Sequence, residues 1–235
     1  MHNDYFDKLT IKNKPKSFIS EAYRTLSMEM KYSGVSKDLK SILITSPLPQ
    51  EGKSTIAANL ALVFAEGGDN VFIIDANLRC PSIHKFFKSE NVPGLTELLS
   101  KKKRINEVIK NNQEIDSNLH FIASGKVSPN PSKLLGSEKM FSIIESIKEQ
   151  TNIVIIDSSP IIGLADSLSL ANQVDGLVLV LRAGMVTKDV VQRTIALLDK
   201  VEANIIGIVL NYVDLKRNDY YPFYNRYLFN KYYKT

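Results

Sequence analysis

The stretch SILITSPLPQEGKSTIAANLA (41–61) decides the fold of this 235-residue chain. It begins with a short run of β-branched and apolar residues, which predicts a buried strand over 41–46. A Gly-Lys-Ser sequence (52–54) follows, and the residues after it predict a helix over 53–66 that stops at a pair of glycines. A strand, this loop and a helix in that order predict a phosphate-binding loop.

Outward from this stretch, apolar runs alternate with helical patterns. Further strands are predicted over 71–75, 119–124, 153–157, 176–181 and 205–211. Helical segments are predicted over 16–33, 93–110, 131–149, 165–173 and 187–201. Because the apolar runs show no polar alternation, we expect them to be buried on both faces, as parallel strands are. The pattern predicts an α/β fold, a doubly wound and mostly parallel sheet flanked by helices.

The positive charge of the chain is concentrated at one end. The formal net charge is +5, and residues 216–235 carry +4 of it, so the remainder is near neutral. This distribution argues against a uniformly basic nucleic-acid binder, and no nucleic-acid partner is expected. No apolar run reaches the ~20 residues of a membrane span, and a single cysteine, Cys80, fits a reducing cytoplasm.

Six of the ten tyrosines also lie in this terminal region. They are Tyr220, Tyr221, Tyr224, Tyr227, Tyr232 and Tyr233. The stretch lacks helical or strand periodicity, which predicts a P-loop domain over 1–214 followed by a flexible tail over 215–235.

The phosphate loop predicts a nucleotide site. The residues expected to bind nucleotide there are Gln50, Glu51, Gly52, Lys53, Ser54 and Thr55. Backbone N–H groups would surround the phosphates, Lys53 would reach the β- and γ-phosphates, and the Ser54 hydroxyl would bind Mg²⁺.

Two carboxylates are expected beside that loop. Asp75 and Asp157 each end a predicted strand, and ligands of open α/β sheets bind beyond the carboxyl ends of the strands. Each carboxylate could hold Mg²⁺ directly or through water. Helix capping is the alternative role for an aspartate in that position.

Several motifs together resemble those of the bacterial tyrosine kinases, which belong to the class of MinD- and ParA-like ATPases. The phosphate loop, IIDANLRCPS (73–82) and IIDSSP (155–160) are similar to the Walker A, A′ and B motifs of that family. SEAYRTLSMEM (20–30) resembles its oligomerisation helix, and SPNPSKLLGSEKM (128–140) resembles another family stretch. The similarity is strongest to the separate, CapB-like cytoplasmic kinases of capsule and exopolysaccharide systems.

The resemblance implies an enzyme that uses Mg²⁺ and ATP, leaves ADP, and autophosphorylates its terminal tyrosines in trans. Its expected catalytic residues are Lys53, Asp75, Asn77, Arg79 and Asp157, with Ser54, Asp75 and Asp157 as metal ligands. Asp75 would orient the phenol or accept its proton. Asn211 matches a position that contacts adenine in related ATPases, with a strand-end cap as the alternative.

The resemblance also implies partners. Glu21 and Arg24 would take part in forming a homo-oligomeric ring. A membrane-bound activator of the polysaccharide co-polymerase type would hold the cytoplasmic kinase at the inner face of the cell membrane, and a cognate tyrosine phosphatase would reverse the reaction. We expect phosphorylation to reverse the charge of the tail and so release it from an acidic mouth of a neighbour's active site.

Three departures from the family pattern bear on the activity, the oligomer and the alternative functions. Asn77 replaces the second acid of the A′ motif, which allows a weakly active nucleotide-binding scaffold. Ser27 replaces the last arginine of the oligomerisation motif. Leu48 stands where MinD- and ParA-like ATPases carry a signature lysine, which argues against the other alternative, a non-kinase ATPase switch.

Overall fold

Seven strands form one sheet in the part of the chain that the computed structural model describes, residues 5–32 and 39–214. The strands are β1 (Ser41–Thr45), β2 (Val71–Asp75), β3 (Ile109–Asn112), β4 (Asp116–Ile122), β5 (Ile153–Asp157), β6 (Gly176–Arg182) and β7 (Ile205–Asn211). Their order across the sheet is β3-β4-β2-β5-β1-β6-β7. All neighbours are parallel except β3 and β4, which confirms the predicted doubly wound, mostly parallel sheet.

Nine α-helices lie in the same described ranges. They are α1 (Thr10–Asn13), α2 (Phe18–Tyr32), α3 (Lys53–Glu66), α4 (Ile83–Phe86), α5 (Leu95–Leu99), α6 (Pro131–Leu135), α7 (Glu138–Lys148), α8 (Leu168–Ala171) and α9 (Lys188–Asp199). Single 3-10 turns span Phe6–Lys8 and Ile105–Glu107. None of these helices is long and apolar enough to cross a bilayer.

The predicted helix over 93–110 is wrong. Only α5 is α-helical there, because the chain turns at Lys101, whose φ is +59°. The segment then makes a 3-10 turn and enters β3, which pairs antiparallel with β4. The helix predicted over 131–149 is divided in two, because the Ser137 hydroxyl accepts the backbone N–H of Met140 and begins α7 anew.

The central helix α3 is apolar on nearly every side, and the structure explains why. One face of α3 packs on the sheet, and its outer face is covered by α2 and by Leu9 and Ile11 of the N-terminal segment. The helix ends at Gly67, and Gly68 has φ +88°, which confirms the predicted stop. Helix α3 is therefore a buried column with the phosphate loop at its N-terminus.

The last strand differs from the prediction of burial on both faces. Strand β7 pairs only with β6 within the described chain and forms an edge of the sheet. Ile208 is 52% exposed and Leu210 is 58% exposed. An edge strand has a neighbour on one side only, so its outer side chains are less covered than those of central strands.

The sheet topology brings the predicted site together. Six of the seven strands run parallel, so their carboxyl ends meet at one edge of the sheet. The chain leaves β1 toward β2 on one side, whereas β6 lies on the other side of β1. Such a reversal creates the crevice in which open α/β sheets bind ligands.

Candidate active site

The phosphate loop joins β1 to α3 and contains two residues in the left-handed backbone region. Gly52 has φ +93° and caps α3. A β-carbon at that position would lie 2.2 Å from Nδ2 of Asn211, so the loop requires glycine there. Gln50 has φ +61°, a conformation that side-chain-bearing residues adopt at some cost. The loop therefore has the curled backbone with which phosphate cradles are built.

Glu51 holds this loop from inside. Its carboxylate is fully buried and accepts the backbone N–H groups of Leu48 (2.6 Å) and Arg182 (3.2 Å). Its carbonyl oxygen accepts a hydrogen bond from Nδ2 of Asn211 at 3.0 Å. The Glu51 side chain thus fixes the loop rather than facing the cleft, and Asn211 fastens the end of β7 to the loop.

Lys53, Ser54 and Thr55 form the first turn of α3 and line a cleft of about 670 Å³. Lys53 is only 6% exposed. Burial lowers the pKa of its ammonium group, while the negative charges of Asp157 and Glu51 oppose this shift. No ion pair is formed by Lys53 within residues 5–32 and 39–214, so an arriving phosphate would supply the missing partner.

Asp75 lies at the end of β2 and is saturated with hydrogen bonds. One carboxylate oxygen accepts the backbone N–H of Asn77 (3.2 Å). The other oxygen accepts those of Ser82 and Ile83, each at 3.0 Å, at the start of α4. The carboxylate therefore ties the loop after β2 back onto its own strand.

Asp157 lies at the end of β5, paired in register with Asp75. It is fully buried; the Ser54 hydroxyl lies nearby, but neither carboxylate oxygen accepts a hydrogen bond of normal geometry from the described residues. Buried polar groups normally have partners, because an unpaired one costs free energy. Asp157 is thus available to a ligand in a way that Asp75 is not.

Both carboxyl groups have raised pKa values. For Asp75 the main cause of the raised pKa is burial, followed by the charge of Asp157, and the backbone N–H groups oppose it. Burial also raises the pKa of Asp157, and the nearby Ser54 hydroxyl and then the positive charge of Lys53 oppose that shift. A cation beside the pair would favour the ionised forms.

The donor set fits Mg²⁺. The Asp157 carboxylate and the hydroxyl of Ser54, in the first turn of α3, are hard oxygen ligands. Magnesium in proteins binds few carboxylates and completes its coordination with waters and nucleotide phosphates. No group of three or more His, Cys, Asp or Glu side chains suited to a metal occurs in the described part of the chain. Phosphate oxygens would therefore have to complete the coordination.

Asn77 has a local structural task. It is buried, and its Oδ1 accepts the backbone N–H of Cys80 at 3.2 Å, which closes the turn after β2. It also lines the cleft. A carboxylate at this position could accept the same hydrogen bond, so the turn does not require an amide.

Arg79 makes a bidentate ion pair that the sequence did not reveal. Its Nε and one terminal nitrogen donate to the two oxygens of Asp166, at 2.6 and 3.2 Å. Asp166 is 1% exposed, whereas the Arg79 side chain is 43% exposed and lines the cleft. The pair connects the loop after β2 with the loop after β5 and holds the guanidinium at the cleft.

The walls of the cleft are basic, so the expected acidic mouth is wrong. The charged side chains that line it are Lys8, Lys53, Arg79 and Arg182. No aspartate or glutamate of the described chain lines it. The Arg182 guanidinium lies 4.3 Å from the ring centroid of Tyr212. Arg182 could have been predicted, because it ends strand β6, but nothing in the sequence marks Lys8 or Asp166.

The predicted oligomerisation residues pair with each other. On α2, Arg24 donates to Glu21 at 2.5 Å, to the carbonyl of Pro15 at 2.8 Å and to Glu66 at 3.4 Å. The predicted acceptor tyrosines, between Tyr220 and Tyr233, lie outside the described residues.

A glycine-dependent phosphate loop at the N-terminus of a buried helix, in a doubly wound sheet with acidic strand ends, defines a P-loop NTPase. A ParA family model, described as NUBPL iron-transfer P-loop NTPase, matches residues 40–225. "Tyrosine-protein kinase YwqD" of Bacillus subtilis is 37% identical over 90% of this chain and 88% of its own length. "Putative tyrosine-protein kinase CapB" of Staphylococcus aureus is 33% identical over 92% and 94%.

A solved structure shows the same relationship. The chimerical protein CapA2B2 superposes with a TM-score of 0.82 at 33% identity, over 87% of this chain and 89% of that one. The chain belongs to the bacterial tyrosine kinase family of ParA-like P-loop NTPases. The predicted family, fold class and enzyme class are thereby confirmed.

Proposed function

We propose that this chain transfers the γ-phosphoryl group of ATP to the tyrosines of its own C-terminal cluster, in trans. The observation that carries the proposal is the buried Asp157 carboxylate, which lies behind the wall of the basic cleft and near enough for its charge to act on Lys53. A polyanion with a divalent cation would satisfy both the carboxylate and the unpaired Lys53 ammonium.

The residues have separate tasks in this reaction. Lys53 and the N-terminus of α3 neutralise the phosphates, and Gly52 allows the backbone to approach them. Ser54 and Asp157 would hold Mg²⁺, and Asp75 lies beside Asp157 in the adjacent strand. Bound Mg²⁺ supplies positive charge that offsets the charge developing on the transferred phosphoryl group. Arg79, held by Asp166, faces the same cleft.

The phenolic oxygen of an acceptor tyrosine forms a bond to the γ-phosphorus, the bond to the bridging oxygen of ADP breaks, and ADP leaves. The phenolic proton passes to the carboxyl pair of Asp75 and Asp157, which a bound cation would keep ionised and so able to accept it.

The assembly and its setting are part of the proposal. Subunits would form a homo-oligomeric ring in which Glu21 and Arg24 exchange partners across the interface, since each already forms an ion pair on one face of α2. A membrane-bound co-polymerase would activate the kinase at the cytoplasmic face of the membrane, a phosphatase would reverse it, and capsule or exopolysaccharide export would be controlled. The similarity to the chimerical protein CapA2B2 supports a second protein component.

The activity is tested by incubating the full chain with Mg-ATP and the cytoplasmic end of the activator, followed by detection of phosphotyrosine. Lys53→Met serves as the inactive control. Transfer in trans is tested by mixing a tagged Lys53→Met chain with an active chain whose six terminal tyrosines are phenylalanine. Phosphate on the tagged chain supports the proposal. ATP hydrolysis with no phosphotyrosine on any chain would favour the ATPase switch instead.

A second candidate is a weakly active nucleotide-binding scaffold. It rests on Asn77, an uncharged cleft residue that already accepts the N–H of Cys80. Asn77→Asp should raise tail phosphorylation several-fold, because an added carboxylate strengthens cation binding and fits the same turn. Phosphorylation that is absent in the wild type and present in this variant would establish the scaffold. Equal rates in the wild type, Asn77→Asp and Asp75→Asn would contradict the roles given to both side chains.

A further inference from the structure

The N-terminal segment, residues 5–14, lies against the helix that the phosphate loop opens. Leu9 is fully buried and Ile11 is 1% exposed, and both pack in the core cluster that contains α3. The segment precedes the predicted oligomerisation helix, and no sequence motif assigns it a function. Its position makes it a wall of the nucleotide cleft, because Tyr5 and Lys8 line that cleft together with Lys53 and Ser54.

Asn59 of α3 fixes the backbone of this segment. Its side chain is fully buried, and its Nδ2 donates to the carbonyl of Lys8 at 2.9 Å and to that of Thr55 at 2.8 Å. Its Oδ1 accepts the backbone N–H of Ile11 at 3.2 Å. Since Thr55 belongs to the first turn after the phosphate loop, the Lys8 backbone is tied directly to the phosphate-binding end of the helix.

Aromatic contacts place the Lys8 side chain on the cleft wall. The Tyr5 ring meets Phe86 edge-on, with centroids 5.1 Å apart. The Lys8 ammonium lies 4.6 Å from the Tyr5 ring centroid, and that of Lys85 lies 5.0 Å from it. Of these two ammonium-bearing residues, Lys8 lines the cleft and Lys85 does not. Lys8 forms no ion pair with a carboxylate in the described ranges, so its charge is available to a ligand.

The order of the strands indicates which part of a nucleotide would meet Lys8. Arg182 ends β6 and Tyr212 follows β7, and both line the cleft on one side of the phosphate loop, where the resemblance predicts the base. Asp75 ends β2, on the opposite side of β1. Tyr5, which carries the Lys8 ammonium over its ring, contacts Phe86 of α4 on this second side, after β2. A nucleotide with its base at β7 would extend its phosphates past Lys53 toward β2.

We propose that Lys8 binds the γ-phosphate of the nucleotide, so that the N-terminal segment distinguishes a triphosphate from a diphosphate. The phosphate loop itself contributes one basic side chain, Lys53. Lys8 would add a second positive charge at the far end of the phosphate chain. This inference rests on the proposed nucleotide site and deepens it, since it assigns the discrimination between substrate and product to a residue outside every Walker motif.

The test compares the affinities of a non-hydrolysable ATP analogue and of ADP for the full chain, both with Mg²⁺, by competition against a fluorescent nucleotide. The variants are Lys8→Gln and Lys8→Arg, with Lys14→Gln as a matched control from the same segment. Lys14 is exposed and does not line the cleft. A thermal melt of each apo variant checks that folding is unchanged.

Lys8→Gln should weaken the triphosphate analogue roughly tenfold and ADP less than about twofold, because a charge-assisted hydrogen bond made only with the γ-phosphate is lost. Lys8→Arg should restore most of the preference, and Lys14→Gln should match the wild type. An unchanged preference in Lys8→Gln, or an equal loss of both nucleotides, would overturn the inference. A wild type that binds neither nucleotide would overturn the proposed function itself.

Discussion

The loops that follow β2 and β5 begin with the same residue type at the same level of the sheet, yet they treat it in opposite ways. Asp75 and Asp157 are both buried and face each other across paired strands. Asp75 accepts three backbone N–H groups, whereas Asp157 accepts none. The Asp75 carboxylate therefore stabilises its own loop, whereas the Asp157 carboxylate is available to a ligand.

The difference comes from how each loop satisfies its own polar groups. After β2 the chain curls round, and backbone N–H groups from the start of α4 reach Asp75. After β5 the loop is held by serine hydroxyls, which donate hydrogen bonds to backbone carbonyl groups. Ser158 donates to the carbonyl of Ile44, and Ser167 donates to the carbonyl of Ser159 at 2.5 Å. That loop is held in place without using the Asp157 carboxylate.

The largest expected effect is that of Asp157→Asn. Phosphotransfer to the tail should fall roughly 10³-fold, because a preorganised electrostatic contact at the reacting phosphate is lost. The apo protein should nevertheless melt at the same or a higher temperature, since a buried charge without partners is removed. Rate and melting are measured on one preparation, with Lys53→Met as reference. Retained activity would mean that Asp157 is not the ligand-binding carboxylate.

Asp75→Asn should have the opposite effect on stability. An amide offers one acceptor oxygen in place of two, so at least one of the three N–H groups loses its partner and unfolding becomes easier by about 1–3 kcal/mol. Phosphotransfer should fall roughly 100-fold, because the loop that carries Asn77 and Arg79 is loosened. Chemical denaturation measures the first effect. A variant as stable as the wild type would remove the distinction between the two carboxylates.

Asp166→Asn tests the connection between the two loops. The neutral amide cannot keep the bidentate ion pair, so Arg79 should lose its fixed position and phosphotransfer should fall roughly tenfold at saturating ATP. Arg79→Gln should cost about the same, and the double variant should cost little more. Additive losses in the double variant would show that the two residues act separately.

The smallest expected effect is on the pH dependence of the apo protein. Because the pKa values of both carboxyls are raised in the folded state, that state binds more protons than the unfolded chain above about pH 4. Stability should therefore fall as the pH rises from about 5 toward neutrality, by a few degrees in melting temperature. The slope should be smaller in Asp157→Asn. A melting temperature that rises over this range would contradict the account.

The sequence predicted the parts of this comparison that follow from strand ends. Asp75 and Asp157 could be placed together because parallel strands finish at one edge of a sheet. The bidentate partner of Arg79 could not, since Asp166 lies 87 residues away and ends no strand. Lys8 was also missed, because its place depends on how Asn59 anchors a segment with no motif of its own.

The other errors have similar causes. The first two residues of β3 were predicted as helix and the strand was missed, because a short edge strand carries too few side chains to show its period. The sign of the charge at the cleft mouth was wrong, because it sums side chains from several elements far apart in sequence. The formation of β3 and the charge of the cleft both depend on tertiary packing, which cannot be seen in local sequence patterns.

The hydrogen bond from Asn211 to the phosphate loop has a consequence for the acceptor cluster. Only eight residues lie between this anchored position and Tyr220, so the first predicted acceptor can lie no further than about 30 Å from Asn211. If the intervening residues act as a short flexible linker, the effective local concentration of the Tyr220 phenol is in the millimolar range. The local concentration of tyrosine near a chain's own cleft would therefore already be high. Whether phosphate goes to the same chain or to a neighbouring chain would then depend on the direction from which a tyrosine can enter the cleft.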